Sequence, residues 1–254
     1  MNYKYSVIIP TLNEETKIKS LLPKLLEYKS SLEEQIEIIV VDGKSEDETK
    51  SICVKSGVIF LESETGRGIQ MNNGAIAASG EILIFLHADT ELPENIFEII
   101  NEKFSNKIQL ATFRLKFDDT KMLYKLYSFF TKFDSVFSTF GDQVIIVGKE
   151  FYNKLGGFKN YKIMEDVDFI KRARKFTKII KFNNYVITSV KKFEREGIIK
   201  TQIKNFILII GYLFGVSTEK IYELYYNTDK KRINNFHKIS GIRKGKNKVG
   251  FINK

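Results

Sequence analysis

Ile82-Leu83-Ile84-Phe85-Leu86-His87-Ala88-Asp89-Thr90 sets five consecutive apolar residues directly before a polar cluster. A run that is apolar at every position, rather than at every second one, predicts a strand buried on both faces at the centre of a sheet. The polar residues then fall at its carboxyl end. Toward the N-terminus, Tyr5-Ser6-Val7-Ile8-Ile9 stops at Pro10, Ile36 to Val41 stops at Asp42-Gly43, and Val58-Ile59-Phe60-Leu61 is a third such run. Between the first two, Ile18, Leu21, Leu22, Leu25 and Leu26 recur at helical spacing and mark an amphipathic helix. Ser45, with Glu48 three residues on, predicts a capping box for a helix through Val54, and another helix is expected over Arg67 to Ala78. Strands alternating with helices in this way make an α/β fold, with a Rossmann-like, mostly parallel central sheet flanked by helices.

Beyond residue 105 the pattern changes to long strands (Gln109 to Phe117, Gln143 to Val147), aromatic-rich helices over Met122 to Phe137 and helical sequence from Ile198. The chain divides into residues 1–105, residues 106–190 as the other half of the same domain, C-terminal helices at 191–229 as an appendage, and a basic tail at 230–254.

The 254 residues are 43% hydrophobic, enough for a full core and against wholesale disorder. Forty-one Lys and Arg against 31 Asp and Glu leave a formal charge of +10, which favours anionic partners without choosing among phosphorylated small molecules, lipid surfaces and polyanions. A basic nucleic-acid binder has no other support, because no basic and aromatic stripe appears in the first 190 residues. Cys53 is the only cysteine, which excludes an internal disulfide and fits a cytoplasmic setting. No signal peptide is evident, and the apolar run Phe206 to Phe214 is too short to span a bilayer. The segment Ile198 to Phe214 has three readings: packing on the chain's own core, a homodimer contact, or peripheral contact with an anionic membrane surface.

In open α/β sheets ligands collect at the carboxyl ends of the strands. Pro10-Thr11-Leu12-Asn13-Glu14, Asp42-Gly43 and His87-Ala88-Asp89 all occupy such ends and should converge on one crevice. Asp89 is placed to anchor Mg²⁺ or Mn²⁺, which take oxygen ligands, or else to serve as a turn residue before the helix announced by Pro93. Asp42 suits a base N–H or a turn. Arg67 and Gln70, one turn apart at a helix start, suit phosphate, or simply solvent. Glu165-Asp166-Val167-Asp168 supplies carboxylates for general-base work, or for the electrostatics of a helix N-terminus.

In order along the chain, Ser6-Val7-Ile8-Ile9-Pro10-Thr11-Leu12-Asn13-Glu14-Glu15, Val40-Val41-Asp42-Gly43-Lys44-Ser45, Phe85-Leu86-His87-Ala88-Asp89-Thr90 and Glu165-Asp166 resemble a family-2 inverting glycosyltransferase of the GT-A fold. Gly66-Arg67-Gly68-Ile69-Gln70, Gly141-Asp142-Gln143 and Gly156-Gly157-Phe158 extend the likeness to a small bacterial and archaeal subfamily annotated alongside radical-SAM and selenium-related domains. The resemblance implies a donor half at 1–105 and an acceptor half at 106–190. Pro10, Thr11, Glu14 and Asp42 would bind the nucleoside, and Arg67 and Gln70 the diphosphate side of a UDP- or GDP-sugar. Asp89, with His87 where the usual motif has aspartate, would hold the divalent metal. Asp166 would be the base, Glu165 would shape the site, and Gly141, Asp142 and Gln143 would lie on the acceptor side. The acceptor is unnamed, a lipid carrier being one candidate. Two rival functions stand beside this: a sugar nucleotidyltransferase, disfavoured by Pro10-Thr11-Leu12-Asn13 where a Gly-rich loop is wanted, and a non-catalytic sugar-nucleotide or nucleic-acid binding module.

Overall fold

The computed structural model describes residues 4–32, 35–104, 109–119, 121–190 and 197–225. The basic tail at 230–254 lies outside the described residues. The strands are β1 (Tyr5–Thr11), β2 (Ile36–Asp42), β3 (Ile59–Glu62), β4 (Ile82–Phe85), β5 (Thr90–Glu91), β6 (Leu110–Phe117), β7 (Ile145–Gly148) and β8 (Ile180–Thr188). They form one sheet in the order β3-β2-β1-β4-β7-β6-β8-β5, which runs unbroken across residue 105. The first four strands are mutually parallel, as their uniform apolar character predicts.

At β4 the sheet changes direction. β7 pairs antiparallel to β4, with Phe85 opposite Ile145, and β6 pairs antiparallel to β7. The amino end of β7 therefore meets the carboxyl end of β4. The 3₁₀ turn Gly141–Gln143 is delivered to the same edge as His87 and Asp89.

The helices are α1 (Glu15–Ser31), α2 (Thr49–Lys55), α3 (Arg67–Ala77), α4 (Ile96–Phe104), α5 (Met122–Phe130), α6 (Lys149–Lys154), α7 (Glu165–Ala173) and α8 (Ile198–Leu213). Strand alternation sends Val7, Ile9, Val40 and Ile84 to one layer with Ile18 and Leu22 of α1 and Ile100 of α4. It sends Ile8, Val41 and Phe85 to the other, with Met71 of α3 and Phe169 of α7. A third cluster joins α7 to α8 through Met164, Val167, Leu208 and Ile209. α3 lies so close to the sheet that a Cβ at Gly74 would sit 2.4 Å from Ile8 Cγ2.

Two expected features differ. Ser45 caps no helix: its N–H and Oγ donate to Asp42 Oδ2 and Oδ1 (2.8 and 2.5 Å), while Thr49, the first residue of α2, donates its N–H to Asp47 Oδ1 at 3.0 Å. The nearby carboxylate is the stronger acceptor, so the box never forms. α5 ends at Phe130, not Phe137, because Thr131 turns its hydroxyl into the sheet, accepting from Leu115 N at 3.0 Å and donating to Ser128 O at 2.7 Å.

Candidate active site

Two cavities meet at the carboxyl ends of β1 and β4. The larger, about 640 Å³, is bordered by Pro10, Thr11, Glu14 and Gln70. The smaller, about 350 Å³, is bordered by Asp142, Asp166, Tyr127 and Phe140. Arg67, His87, Asp89 and Lys162 line both, so they stand at the junction. Brought together from separate segments of the chain, these residues form the crevice that the sheet edge predicts.

On the donor side the loops are locked from below. Thr11 Oγ1 donates to Asp42 Oδ1 at 2.9 Å, and with the two Ser45 bonds this engages a carboxylate that is buried and does not face the cavity. Asp42 thus braces the ends of β1 and β2. Gln70 borders the cavity, and its Nε2 donates to Thr11 O (2.7 Å) and Val41 O (2.8 Å), which fixes the floor. Gln70 is a polar side chain drawn to strand-end carbonyls, which a linear sequence does not reveal.

Arg67 opens α3 directly after Gly66, whose φ of 151° favours glycine. Its Nε lies 3.1 Å from Glu165 Oε1 at the start of α7. Glu165 is buried, its Oε2 has no partner, and burial raises its pKa against the opposing pull of Arg67. Glu165 is placed to orient Arg67 and does not face the cavities. Gly68 allows this closeness, since a Cβ there would lie 2.8 Å from the Lys159 carbonyl.

Asp166 alone of the acidic triplet in α7 faces the acceptor-side cavity. Its Oδ2 accepts from Gly141 N at 2.7 Å and its Oδ1 from Val167 N at 2.8 Å, which fixes the carboxylate while leaving each oxygen a further lone pair. Asp168 instead accepts from Arg172 Nε (2.7 Å) and Tyr212 Oη (2.8 Å), tying α7 to α8. Met164, just before α7, adopts a left-handed φ of 69°, and Val144, just after the 3₁₀ turn, one of 58°. Such conformations are costly for non-glycine residues, and here both flank the groups that hold Asp166.

Gln143 is fully buried, donating to Ser138 O at 2.6 Å and accepting from Lys181 Nζ, so it braces the turn and does not line the acceptor side. Asp142 does line it, with Oδ1 unpartnered. Burial first and Asp166 second push its pKa up to about 7. His87 is pushed down to about 4, by burial and then by Arg67, so its imidazole is neutral at neutral pH. Among the described residues no group of three or more His, Cys, Asp or Glu is placed to hold a metal ion; His87 and Asp89 make a pair.

Two lysines escaped the reading of the sequence. Lys17, one turn after Glu14 on α1, lies 2.8 Å from Glu14 Oε2 and 3.8 Å from Asp89 Oδ2. The i,i+3 spacing to Glu14 was available as a signal; the approach to Asp89 was not. Lys162 comes from the loop before α7, and its ammonium stands 5.3 Å from the Tyr222 ring.

Residues 6–164 match the sequence profile described as Glycosyl transferase family 2. The chain is 30% identical over 142 residues to an uncharacterized glycosyltransferase of Synechocystis, covering 50% of this chain and 45% of that protein. It is 27% identical over 113 residues to a dolichyl-phosphate beta-glucosyltransferase of Trichomonas vaginalis, covering 40% of this chain and 35% of that protein. The matched stretch thus spans less than half the length of either relative. Among solved structures, glucosyl-3-phosphoglycerate synthase from Mycobacterium tuberculosis in complex with phosphoglyceric acid superposes with a TM-score of 0.62 at 18% identity, covering 85% of this chain and 81% of that one. A mannosyltransferase from Pyrobaculum calidifontis in complex with GDP-Man and Mn²⁺ gives 0.62 at 18% identity, covering 82% and 63%. These likenesses show the GT-A fold, and the profile match across well over half of the sequence places the chain in glycosyl transferase family 2.

Proposed function

We propose that the chain moves a sugar from a nucleoside-diphosphate donor, a UDP- or GDP-sugar, to an acceptor hydroxyl, inverting the anomeric carbon. The observation that carries this reading is the shared lining of the two cavities: Arg67, His87 and Asp89 stand at their junction, and Asp166 faces the junction from the acceptor side. The motif order also favours the small bacterial and archaeal subfamily named above.

The nucleoside would occupy the larger cavity, above the floor formed by Thr11 and Gln70. The diphosphate would lie at the N-terminus of α3, where the helix dipole and the Arg67 guanidinium both favour anionic oxygen. Mg²⁺ or Mn²⁺ suits His87 and Asp89: one neutral imidazole and one exposed carboxylate offer two ligands, leaving donor oxygens and water for the rest. When bound, the cation offsets charge that develops on the leaving diphosphate.

Asp166 takes the proton of the acceptor hydroxyl as that oxygen attacks the anomeric carbon from the face opposite the diphosphate. The bond from that carbon to the diphosphate oxygen breaks, its electron pair leaves with the diphosphate, and Arg67 balances part of the charge. Glu165 keeps Arg67 on the junction, and Gly141 N–H keeps Asp166 aimed. No helix among the described residues is long and apolar enough to cross a membrane, and the exposed apolar side chains of α5 and α8 suit work at a membrane's cytoplasmic face.

Thermal-shift titration with UDP-, GDP-, ADP- and dTDP-sugars, each with Mg²⁺ or Mn²⁺, tests the donor; a shift with one base names it. Proton NMR of the product tests inversion. Absence of stabilisation by every sugar nucleotide would sink the proposal.

A further inference from the structure

A third cavity, about 620 Å³, opens between α5 and α8 and is continuous with the acceptor side of the site, because Tyr127, Phe140, Asn205 and Ile209 line both. Its volume falls in the range of small-molecule pockets, roughly 300–1,000 Å³. Its walls are hydrocarbon. Leu126, Phe130 and Phe133 come from α5 and the turn after it, and Ile199, Ile203 and Phe206 from α8; each is between 51 and 60% exposed, or 50% for Phe206. That is a large unpartnered apolar surface within one concave groove.

Three hydroxyls that border it are engaged elsewhere, while Gln202 Nε2 on the α8 side is buried without a partner. Thr131 Oγ1 is engaged by Leu115 and Ser128, and Ser138 Oγ donates to Phe133 O at 2.7 Å while sharing a 2.7 Å bond with Ser135 Oγ. A peptide or sugar laid here would lose water from its own polar groups with few replacements. An aliphatic chain has none to lose.

We infer that this groove holds the hydrocarbon tail of an amphiphilic acceptor whose terminal hydroxyl reaches Asp166. The inference rests on the transferase reading and names the acceptor class for the same site. The chemistry is that already set out: the tail's hydroxyl oxygen bonds to the anomeric carbon, its proton passes to Asp166, and the diphosphate leaves with the electron pair. The groove contributes affinity and sets the direction of approach, so that only the hydroxyl end enters the smaller cavity. A second copy of the chain seated on the same face is the competing occupant, and the continuity with the Asp166 cavity argues for the tail.

The chain contains no tryptophan, so Phe206→Trp supplies a single fluorophore in the groove. Titration with 1-hexanol, 1-octanol and 1-decanol should give a saturable emission shift, each added methylene tightening binding roughly fourfold. Ile203→Glu in the Phe206→Trp background should weaken 1-decanol binding at least tenfold, with an unchanged melting temperature showing that it folds. With a stabilising sugar nucleotide present, labelled sugar should appear on 1-decanol in preference to ethanol. Binding that ignores chain length would overturn the groove assignment, as would sedimentation showing a dimer that excludes the alcohols; if the sugar nucleotide still stabilises the protein, the transferase reading survives that failure. Stabilisation by no sugar nucleotide overturns that reading, and the groove's role as an acceptor site falls with it.

Discussion

Arg67 and Glu165 pair across the junction of the two cavities, Nε to Oε1 at 3.1 Å, so that one ion pair ties the first helix turn of the donor side to the first turn of the acceptor side. Glu165 is buried while Arg67 is half exposed. Removing the guanidinium leaves the carboxyl without its counter-charge, although protonation relieves part of the penalty. Arg67→Ala is expected to lower stability by about 1–2 kcal/mol in urea unfolding, with solvent screening of the exposed partner keeping the loss below that of a fully buried pair. Donor affinity should fall further in the same variant than in Glu165→Gln.

The hydrogen bond from Gly141 N to Asp166 Oδ2 gives a second expectation. A Cβ at position 141 would lie 3.1 Å from that oxygen, so Gly141→Ala should push the carboxylate from its aim. Turnover should fall by about 10²-fold with donor affinity intact. Asp166→Asn should lose about 10²–10⁴-fold, again with donor binding retained by thermal shift. Full turnover in Asp166→Asn would remove the base assignment.

His87 beside Asp89 bears on the metal. An imidazole ligand favours Mn²⁺ over Mg²⁺, and carboxylates suit Mg²⁺ better. His87→Asp is expected to shift donor-dependent stabilisation toward Mg²⁺, and Asp89→Ala to weaken it with either ion. Titration of each ion at fixed sugar nucleotide measures both.

Asp142 and Lys181 make stability depend on pH in opposite windows. Asp142 is raised from 3.8 to about 7, mainly by burial, so the folded protein holds more protons than the unfolded chain between those values and loses stability as pH rises through them. Lys181 is lowered from 10.5 to about 7, again mainly by burial, so the unfolded chain holds more protons between about 7 and 10.5 and stability recovers as pH rises there. The two together place a minimum of stability near neutrality. Asp142→Asn should flatten the acid side and Lys181→Met the alkaline side, read by denaturant midpoints across pH.

Much of this was legible in advance where a local pattern reports a global position. Continuous apolar runs identified β1, β2 and β4 as interior strands, and the residues after β1 and β4 border the crevice as expected. The same reasoning separated poorly between residues that face a ligand and residues that hold the facing ones. Asp42, Gln143 and Glu165 sit in site motifs with buried, engaged side chains, while Gln70 braces the floor and also borders the larger cavity. A motif records that a position is constrained near the site, and only the packing shows on which side of the wall it lies. Lys17 and Lys162 were hidden for the converse reason, since neither belongs to a motif and each is brought to the site by the tertiary path of the chain.

The antiparallel insertion of β7 between β4 and β6 also bears on how the protein comes to exist. Phe85 and Ile145 are opposite in the sheet but far apart in sequence, and the junction of the cavities depends on that pairing. Contacts of such separation close late and slowly during folding. A chain emerging from the ribosome would hold its first four strands with β4 still an open edge, its row of backbone groups unpaired until residues 145–148 arrive. The strand that completes the junction is therefore also the one that ends the period in which the nascent protein is open to edge-to-edge aggregation.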